Sequence, residues 1–425
     1  MPPTRRRSTA TGPWPILDPI MWMRFRPSLL VGALALVVTL SLVLAAGWPG
    51  RDAYRYLNVF QEVWNLTREN YVEPVSEDDL LEGAYRGMVA SLDAASAFLA
   101  PGEEVGVLEP AGPGRAGFEL LPSGNVAVIV RVDPGSPAAE AGLHRGDQVW
   151  RIGGEPTRLK SWPQLRRAVT GPVGARLDLV VLDGRRYRLR ELSLELAAPA
   201  DGGFLIDRPR EGLIRLRITE PDRVEGASLA DALRAEMARA PATSVLVDLR
   251  GAVGLDVERA GAIAAALGSA GPGFRLVPRS GPERRIDVPD LPSIQLPDAR
   301  FVLVDGTTAG SAEALAALLR ERDAARLCGR DTFGLGALPE LIPLSRGGFL
   351  LLTTRQVVTA QGTSWADDGL AVDRRLETRV ARGDDDGDPL LDAALDWIAA
   401  GAPEQPATGR TASGTGEPAG VESRS

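Results

Sequence analysis

The sequence predicts an α/β multidomain chain in which a small β-rich domain precedes a larger domain built on a parallel sheet. The first observation is a series of short alternating strands between residues 115 and 197, separated by Gly and Pro turns, which is typical of a small β domain. The second is that mainly apolar strands, such as residues 244–249 and 300–304, alternate with helical patterns after residue 204. Continuous apolar runs are typical of strands that are buried on both faces, so we expect a parallel sheet covered by helices.

The bulk composition limits the classes of function. A length of 425 residues allows two or three domains, and 44% apolar with 24% charged residues is ordinary for a globular protein. A net charge of −8 argues against nucleic acid as a partner. One cysteine, Cys328, excludes an intramolecular disulfide and a cysteine-rich metal site. The acidic run at residues 384–388 lacks the spacing and the distal glutamate of a calcium loop, so no metal or cofactor is expected.

The N-terminal region predicts a membrane segment. Residues 28–46 carry no charge and are numerous enough to cross a bilayer as a helix. Arginines in residues 1–27 predict that this basic N-terminus is cytoplasmic. We therefore expect a single-pass transmembrane signal anchor in a bacterial inner membrane, with the bulk of the chain extracytoplasmic, in the periplasm. A cleaved signal peptide, cut near residues 45–47, is the alternative, and Met21 or Met23 is an alternative start.

The remaining domain limits follow from changes in pattern. Residues 51–110 form a helical N-terminal region, in which residues 54–70 have apolar side chains at helical spacing and Ser76 caps a second helix. The β-rich domain covers residues 115–197 and the α/β domain residues 204–400. Residues 401–425 are rich in Gly, Pro, Thr, Ser and Glu, a composition typical of a disordered tail.

Residues 133–149, DPGSPAAEAGLHRGDQV, and residues 115–120, RAGFEL, resemble a PDZ domain. Gly142 and Gly146 permit tight turns, and Asp147 is placed to accept backbone N–H groups. The resemblance implies that a loop captures a C-terminal carboxylate while the peptide adds as a strand to a sheet edge. The implied peptide-binding residues are Ala116, Gly117, Phe118, Glu119, Leu120, Leu165 and Val169.

Residues 301–336, with the segments YVEPV (71–75), DLR (248–250) and TFG (332–334), resemble the carboxy-terminal processing peptidases, which are serine–lysine peptidases. The similarity extends from about residue 54 to residue 398 and implies a large domain related to the crotonase and Clp-peptidase fold.

The catalytic positions of this family do not carry its catalytic residues. The family's serine precedes a glutamate by three residues, and its lysine directly follows TFG. With Glu313 as that glutamate, Gly310 takes the serine position and Leu335 the lysine position, 335 − 310 = 25 residues apart, as in the family. Pro339 replaces a glutamine, and Gly254 remains from the oxyanion loop. A hydrolase of this design needs a base beside its nucleophile, but the chain's one lysine, Lys160, and one histidine, His144, both precede this domain.

These observations favour a membrane-anchored pseudopeptidase that binds protein C-termini as a scaffold or regulator of proteolysis, with an active peptidase paralogue as a candidate partner. The first alternative is an active serine endopeptidase with Ser311 as its nucleophile. The second is a structural assembly partner in which residues 54–92 mediate homo-oligomerisation.

Overall fold

The computed structural model describes residues 51–199, 202–291, 294, 296–377 and 388–402. Two helices come first, α1 (Arg51–Asn70) and α2 (Glu77–Ala90), followed by a short strand, β1 (Ala97–Leu99). The Ser76 hydroxyl accepts a hydrogen bond from the backbone N–H of Asp79 at 3.0 Å. Acidic residues fill the first turn of α2, where they complement the helix dipole, so this helix begins where its capping signals predict.

In the described part of the chain, no helix combines the length and the apolar character that crossing a bilayer requires. The helix α1 has 20 residues, but arginine and glutamate recur along it, and charged side chains oppose insertion into lipid. The predicted transmembrane anchor, and the inner-membrane and periplasmic locations that depended on it, therefore find no support in the part of the chain that the structure describes. Residues 1–27, the segment 28–46, the alternative cleavage region 45–47 and the tail from residue 403 lie outside the described residues.

The small domain is an antiparallel sheet with two short helices. Its elements are β2 (Gly114–Arg115), β3 (Phe118–Ser123), β4 (Val126–Val132), α3 (Pro137–Glu140), β5 (Gln148–Ile152), β6 (Glu155–Pro156), α4 (Trp162–Ala168), β7 (Thr170–Gly171), β8 (Arg176–Leu182) and β9 (Leu189–Glu195). The main strands lie in the order β3-β4-β5-β8-β9, so β3 is an edge strand. Gly142 and Gly146 have φ of 67° and 95°, and Asp147 accepts the backbone N–H groups of His144 and Gly184, as the turn chemistry predicts.

The large domain contains two sheets. Its elements are β10 (Phe204–Arg210), β11 (Leu213–Ile218), a 3₁₀ turn (Pro221–Arg223), α5 (Gly226–Arg239), β12 (Ser244–Asp248), β13 (Val253–Gly254), α6 (Val257–Ala266), β14 (Gly271–Pro278), β15 (Arg284–Val288), β16 (Ala299–Val304), β17 (Ala309–Gly310), α7 (Ser311–Asp323), β18 (Arg326–Gly329), β19 (Ala337–Pro343), β20 (Phe349–Thr359), β21 (Arg374–Arg375) and α8 (Pro389–Ala399).

The first sheet has the order β10-β11-β12-β16-β18-β21. Only β10 runs antiparallel to its neighbour; every other pair is parallel. Helices α5, α6 and α7 pack on one face around Leu216, Leu229 and Leu315, and α8 packs on the other face through Trp397. A parallel sheet covered on both faces is what the apolar strands predicted.

The second sheet, in the order β1-β20-β14-β15 with β19 also paired to β20, is antiparallel. Its strands β14 and β19 both contain glycine or proline, which are typical of loops, so this sheet is not predictable from the local sequence pattern. The candidate site lies where the first sheet gives way to β13 and β17.

Candidate active site

The chain leaves β12 and β16 at the same edge of the parallel sheet, because parallel strands share the direction of their carboxyl ends. Beyond that edge, β13 and β17 pair in parallel, with Val253 opposite Ala309 and Gly254 opposite Gly310. This pairing brings the residual glycine of the oxyanion loop directly beside the predicted serine position. The site is therefore formed by two segments, β13 and β17, that are far apart in the sequence.

Gly310 has no room for a side chain. Its backbone has φ of 64° and ψ of −117°, a conformation that residues other than glycine rarely adopt. A Cβ atom placed on it would stand 1.9 Å from the carbonyl oxygen of Gly254, far inside van der Waals contact. The close approach of β13 to β17 thus requires glycine at the serine position.

Leu335 occupies the lysine position as an apolar residue. Its Cδ2 atom is 3.5 Å from the place where a Cβ atom on Gly310 would stand, so the two positions of the family's dyad do adjoin. Leu335 is 4% exposed and packs in a cluster with Leu121, Val130 and Trp162 of the small domain. Apolar contacts now fill the space where a base would lie.

Glu313 organises the backbone around this pair. Its buried carboxylate accepts hydrogen bonds from the backbone N–H groups of Gly310 (2.8 Å), Gly334 (2.7 Å) and Leu335 (2.8 Å), and from the Thr332 hydroxyl. Burial raises the pKa of Glu313 to about 7, against the opposing effect of these donors. The TFG segment and the start of α7 are thus held together through one carboxyl group.

Asp222, in the 3₁₀ turn, occupies the donors of the loop after DLR. Its carboxylate accepts the backbone N–H groups of Leu255 and Asp256, both at 3.1 Å. It also accepts the Ser311 hydroxyl at 2.9 Å and the Arg166 guanidinium at 2.8 Å. In this arrangement a fixed carboxylate, held by an arginine of the small domain, occupies the backbone donors of this loop.

Ser311 is fully buried and is the first residue of α7. Its hydroxyl donates to Asp222, and a Cβ atom on Gly254 would meet its Oγ atom at 2.1 Å, so the backbone packs closely against it. A nucleophile must reach its substrate, and this hydroxyl is enclosed by protein.

Comparisons with known proteins agree with this geometry. Residues 212–376 match peptidase family S41, residues 128–183 a PDZ domain, and residues 48–98 the activating protease CtpB N-terminal domain. A carboxy-terminal-processing protease of Bartonella bacilliformis is 25% identical over 339 residues, covering 77% of this chain and 76% of that protein. A carboxyl-terminal-processing protease of Synechocystis sp. is 26% identical over 357 residues, covering 80% and 82%.

The chain is thus similar to carboxy-terminal processing proteases over most of its length, and its residues 212–376 match peptidase family S41. Among solved structures, a photosystem II D1 C-terminal processing protease superposes with a TM-score of 0.54 at 21% identity, over 75% of this chain and 92% of that one. At this identity the superposition shows a shared fold. The small domain is hereafter the PDZ domain and the large domain the S41 domain.

Pro339, the position of the family's glutamine, lies in β19 of the S41 domain. It is half-buried and pairs in register with Thr353, next to an irregularity between Leu338 and Pro339. A proline offers no side-chain donor or acceptor, so this position contributes backbone shape and no polar contact to the site.

The predicted peptide-binding residues of the PDZ domain come together, but their side chains fill the groove. Ala116, Phe118, Leu120, Leu165 and Val169 are all buried in one core cluster. Gly117 has φ of 81°, and a Cβ atom on it would overlap the side chain of Ser136. Glu119 instead accepts a hydrogen bond from Trp162 Nε1 at 2.9 Å. The edge of β3 is unpaired, whereas the apolar side chains predicted to bind a peptide are buried in the domain core.

Of the two other candidate bases, Lys160 lines a cavity together with Phe333 of the TFG segment, and His144 lines a different cavity. Lys160 is 3.7 Å from Glu155 in the PDZ domain, and His144 follows the turn at Gly142. Within the described residues, no group of three or more His, Cys, Asp or Glu side chains is placed to hold a metal ion. Residues 384–387 of the acidic run lie outside the described residues, and Asp388 caps α8 while pairing with Arg250.

Sequence reasoning missed Asp222 and Arg166, the residues that connect the PDZ domain to the loop after DLR. Asp222 lies 89 residues before Ser311 and 56 residues after Arg166, and no motif spacing links such distant positions. The one local signal was that Arg166 adjoins Leu165 on a helix expected to line the peptide groove. That adjacency indicates a domain interface only once the fold is known.

Proposed function

We propose that this chain is a catalytically silent member of the S41 family that acts as a scaffold or regulator of proteolysis through its PDZ domain. The observation that carries the proposal is the 1.9 Å separation between the Gly254 carbonyl oxygen and a Cβ atom on Gly310. No serine fits at that position unless β13 and β17 separate. Loss of either member of a nucleophile–base pair lowers turnover by about a millionfold in a serine protease, and both are missing here.

The contacts of Asp222 support the same proposal independently. Acyl transfer depends on backbone donors that are free to stabilise a developing oxyanion. The N–H groups of Leu255 and Asp256 are instead bonded to a carboxylate, which would repel an oxyanion. Restoring a nucleophile would leave this obstacle in place.

The alternative of a peptidase centred on Ser311 finds one supporting contact, the hydrogen bond to Asp222. A carboxylate is able to accept a proton from a serine in principle. However, Asp222 is also bonded to Arg166 and to two backbone N–H groups, and the Ser311 hydroxyl is buried. The geometry therefore favours a structural role for this pair.

The ligands that we propose for the PDZ domain are protein C-termini, with an active peptidase paralogue as a candidate partner. The unpaired edge of β3 offers backbone groups to an added strand. Because the apolar groove is filled by its own side chains, binding requires α4 to move away from β3, and this rearrangement weakens affinity. We expect weak binding that depends on a free carboxylate.

The test combines two measurements on the full-length chain. We expect no labelling by a fluorophosphonate and no cleavage of an unstructured protein, with Ser311→Ala as the matched control. Turnover that disappears in this variant would establish the alternative peptidase. Fluorescence anisotropy with paired peptides, identical except for a C-terminal acid or amide, tests the ligand. Equal binding of the two forms would exclude carboxylate capture.

A further inference from the structure

A strongly basic cavity lies where the PDZ domain meets the S41 domain, apart from Gly310 and Leu335. Its volume is about 330 Å³, which is in the range of sites for small molecules. The charged and polar side chains in its wall are those of Arg131, His144, Arg145, Arg185, Arg217, Arg250 and Asp388. Five arginines thus face one aspartate, in a chain whose net charge is −8.

Three of these arginines are already neutralised by acids. Arg131 pairs with Asp133 at 2.8 Å, and Arg145 pairs with Asp305 at 2.8 Å. Arg250 forms ion pairs with Asp248 at 2.7 Å and with Asp388 at 2.6 Å. The single acid of the wall is therefore engaged by Arg250 and is not free to balance the remaining cations.

Arg217 and Arg185 have no direct polar partner among the described residues. Within the described residues, neither guanidinium forms a hydrogen bond or an ion pair. Arg217 is half-buried on β11. Burial lowers its pKa, and the cations of Arg131 and Arg250 add to this effect against the opposing charge of Asp248. Arg185 is exposed to solvent at the rim of the cavity. A half-buried guanidinium without a partner is costly, and it indicates that a ligand completes the site.

His144 provides a third unsatisfied group. Its Nδ1 atom is buried and has no hydrogen-bond partner among the described residues. In the tautomer that carries the proton on Nδ1, this atom donates to an acceptor. Arg185 and His144 come from the PDZ domain and Arg217 from the S41 domain, so one ligand contacts both domains.

We propose that this cavity binds a small oxyanion of the phosphate class, with Arg217, Arg185 and His144 as its donors. Guanidinium groups match the geometry of phosphate oxygens and bind them through paired charge-assisted hydrogen bonds. The ligand bridges the two domains and stabilises their docked arrangement. This role is independent of whether the chain cleaves peptides, because the cavity does not include the candidate active site.

The experiment measures thermal unfolding and calorimetric binding of the full-length chain with inorganic phosphate, using sodium chloride at equal ionic strength as the reference. We expect the melting temperature to rise saturably with phosphate. A second arm replaces phosphate with O-phosphoserine, which carries the same group on an organic body. If O-phosphoserine binds more strongly than inorganic phosphate, the ligand is a phosphoryl group on a larger molecule. If it binds more weakly, the ligand is the free phosphate ion.

Arg217→Gln and Arg185→Gln are the test variants, and each should weaken phosphate binding about tenfold, as expected for one charge-assisted hydrogen bond. Arg217→Gln should melt no lower than the parent chain in chloride, since its guanidinium has no partner to lose. Arg239→Gln and Arg176→Gln, whose side chains are each 79% exposed, remove the same charge away from the cavity and should bind phosphate normally. Absence of saturable binding, or equal weakening by the control variants, would overturn the proposal.

Discussion

Placing the family's catalytic residues back into this chain should not restore a peptidase. The variant Gly310→Ser with Leu335→Lys supplies both members of the dyad at positions that lie side by side. The structure nevertheless predicts that its β13–β17 pair must open, because a Cβ atom at residue 310 overlaps the Gly254 carbonyl oxygen at 1.9 Å. Asp222 also continues to occupy the amides of the neighbouring loop.

The expected loss of stability follows from the two positions separately. A serine at the backbone angles of Gly310 costs about 1–3 kcal/mol in strain, before the overlap is relieved. Replacing the buried Leu335 side chain removes about 1.5–3 kcal/mol of apolar burial, and an unpaired ammonium in its place costs about 3–5 kcal/mol more. The sum, about 5–11 kcal/mol, is comparable with the entire stability of a typical domain.

The assay is urea unfolding followed by tryptophan fluorescence, together with cleavage of an unstructured protein. Gly310→Ala is the matched control for the serine, since it adds only the Cβ atom and should show most of the destabilisation at that position. Leu335→Met is the control for the lysine, because it conserves volume and should cost less than about 1.5 kcal/mol. A double variant within 1 kcal/mol of the parent chain (less than the strain estimate alone) that also cleaves protein would refute this reasoning.

Three further predictions concern the two buried carboxylates of the site and the hydroxyl that one of them binds. Because the pKa of Glu313 is raised from 4.5 to about 7, the folded chain holds a proton that the unfolded chain releases at lower pH. Stability should therefore fall as the pH rises from about 4.5 to 7, by at most about 3.4 kcal/mol. Urea titrations should find this pH dependence missing in Glu313→Gln, and an identical profile would contradict it. Asp222→Ala should destabilise the chain by about 2–4 kcal/mol and expose the amides of Leu255 and Asp256 to hydrogen exchange, whereas unchanged protection would show that the carboxylate does not hold them. Ser311→Ala should cost about 1 kcal/mol in urea unfolding, and a loss of several kcal/mol would show that this hydroxyl does more than bond to Asp222.

The parts of the fold that were predictable are those whose signals are local. The wholly buried strand β12 and the turn at Gly142 follow from apolar runs and from glycine at positive φ. The second sheet depends on pairing between β1 and β20, which lie about 250 residues apart, and sequence periodicity carries no information on such partners. The anchor was predicted from the composition of one uncharged run, and no helix among the described residues is suited to span a membrane.

The features of the candidate site likewise differ in whether a local sequence signal predicts them. The spacing between Gly310 and Leu335 is a local quantity, and the structure places these residues next to each other. The closed groove of the PDZ domain and the ion pair between Arg166 and Asp222 arise from domain docking. Such contacts depend on the tertiary arrangement, so residue types alone did not predict them.

The replacements at the S41 site are coupled because each one makes room for, or packs against, the next. Glycine at residue 310 permits the close pairing with Gly254. That pairing fixes the position of the following loop, whose amides donate hydrogen bonds to Asp222. Leu335 then packs beside Gly310 and against Trp162 of the PDZ domain, so part of the domain junction rests on the absence of a lysine. A polar residue at position 335 should therefore disturb the docking of the PDZ domain as well as the local core. Hydrogen exchange in α4 is the measurement that separates these effects, because a purely local defect would leave the protection of that helix unchanged.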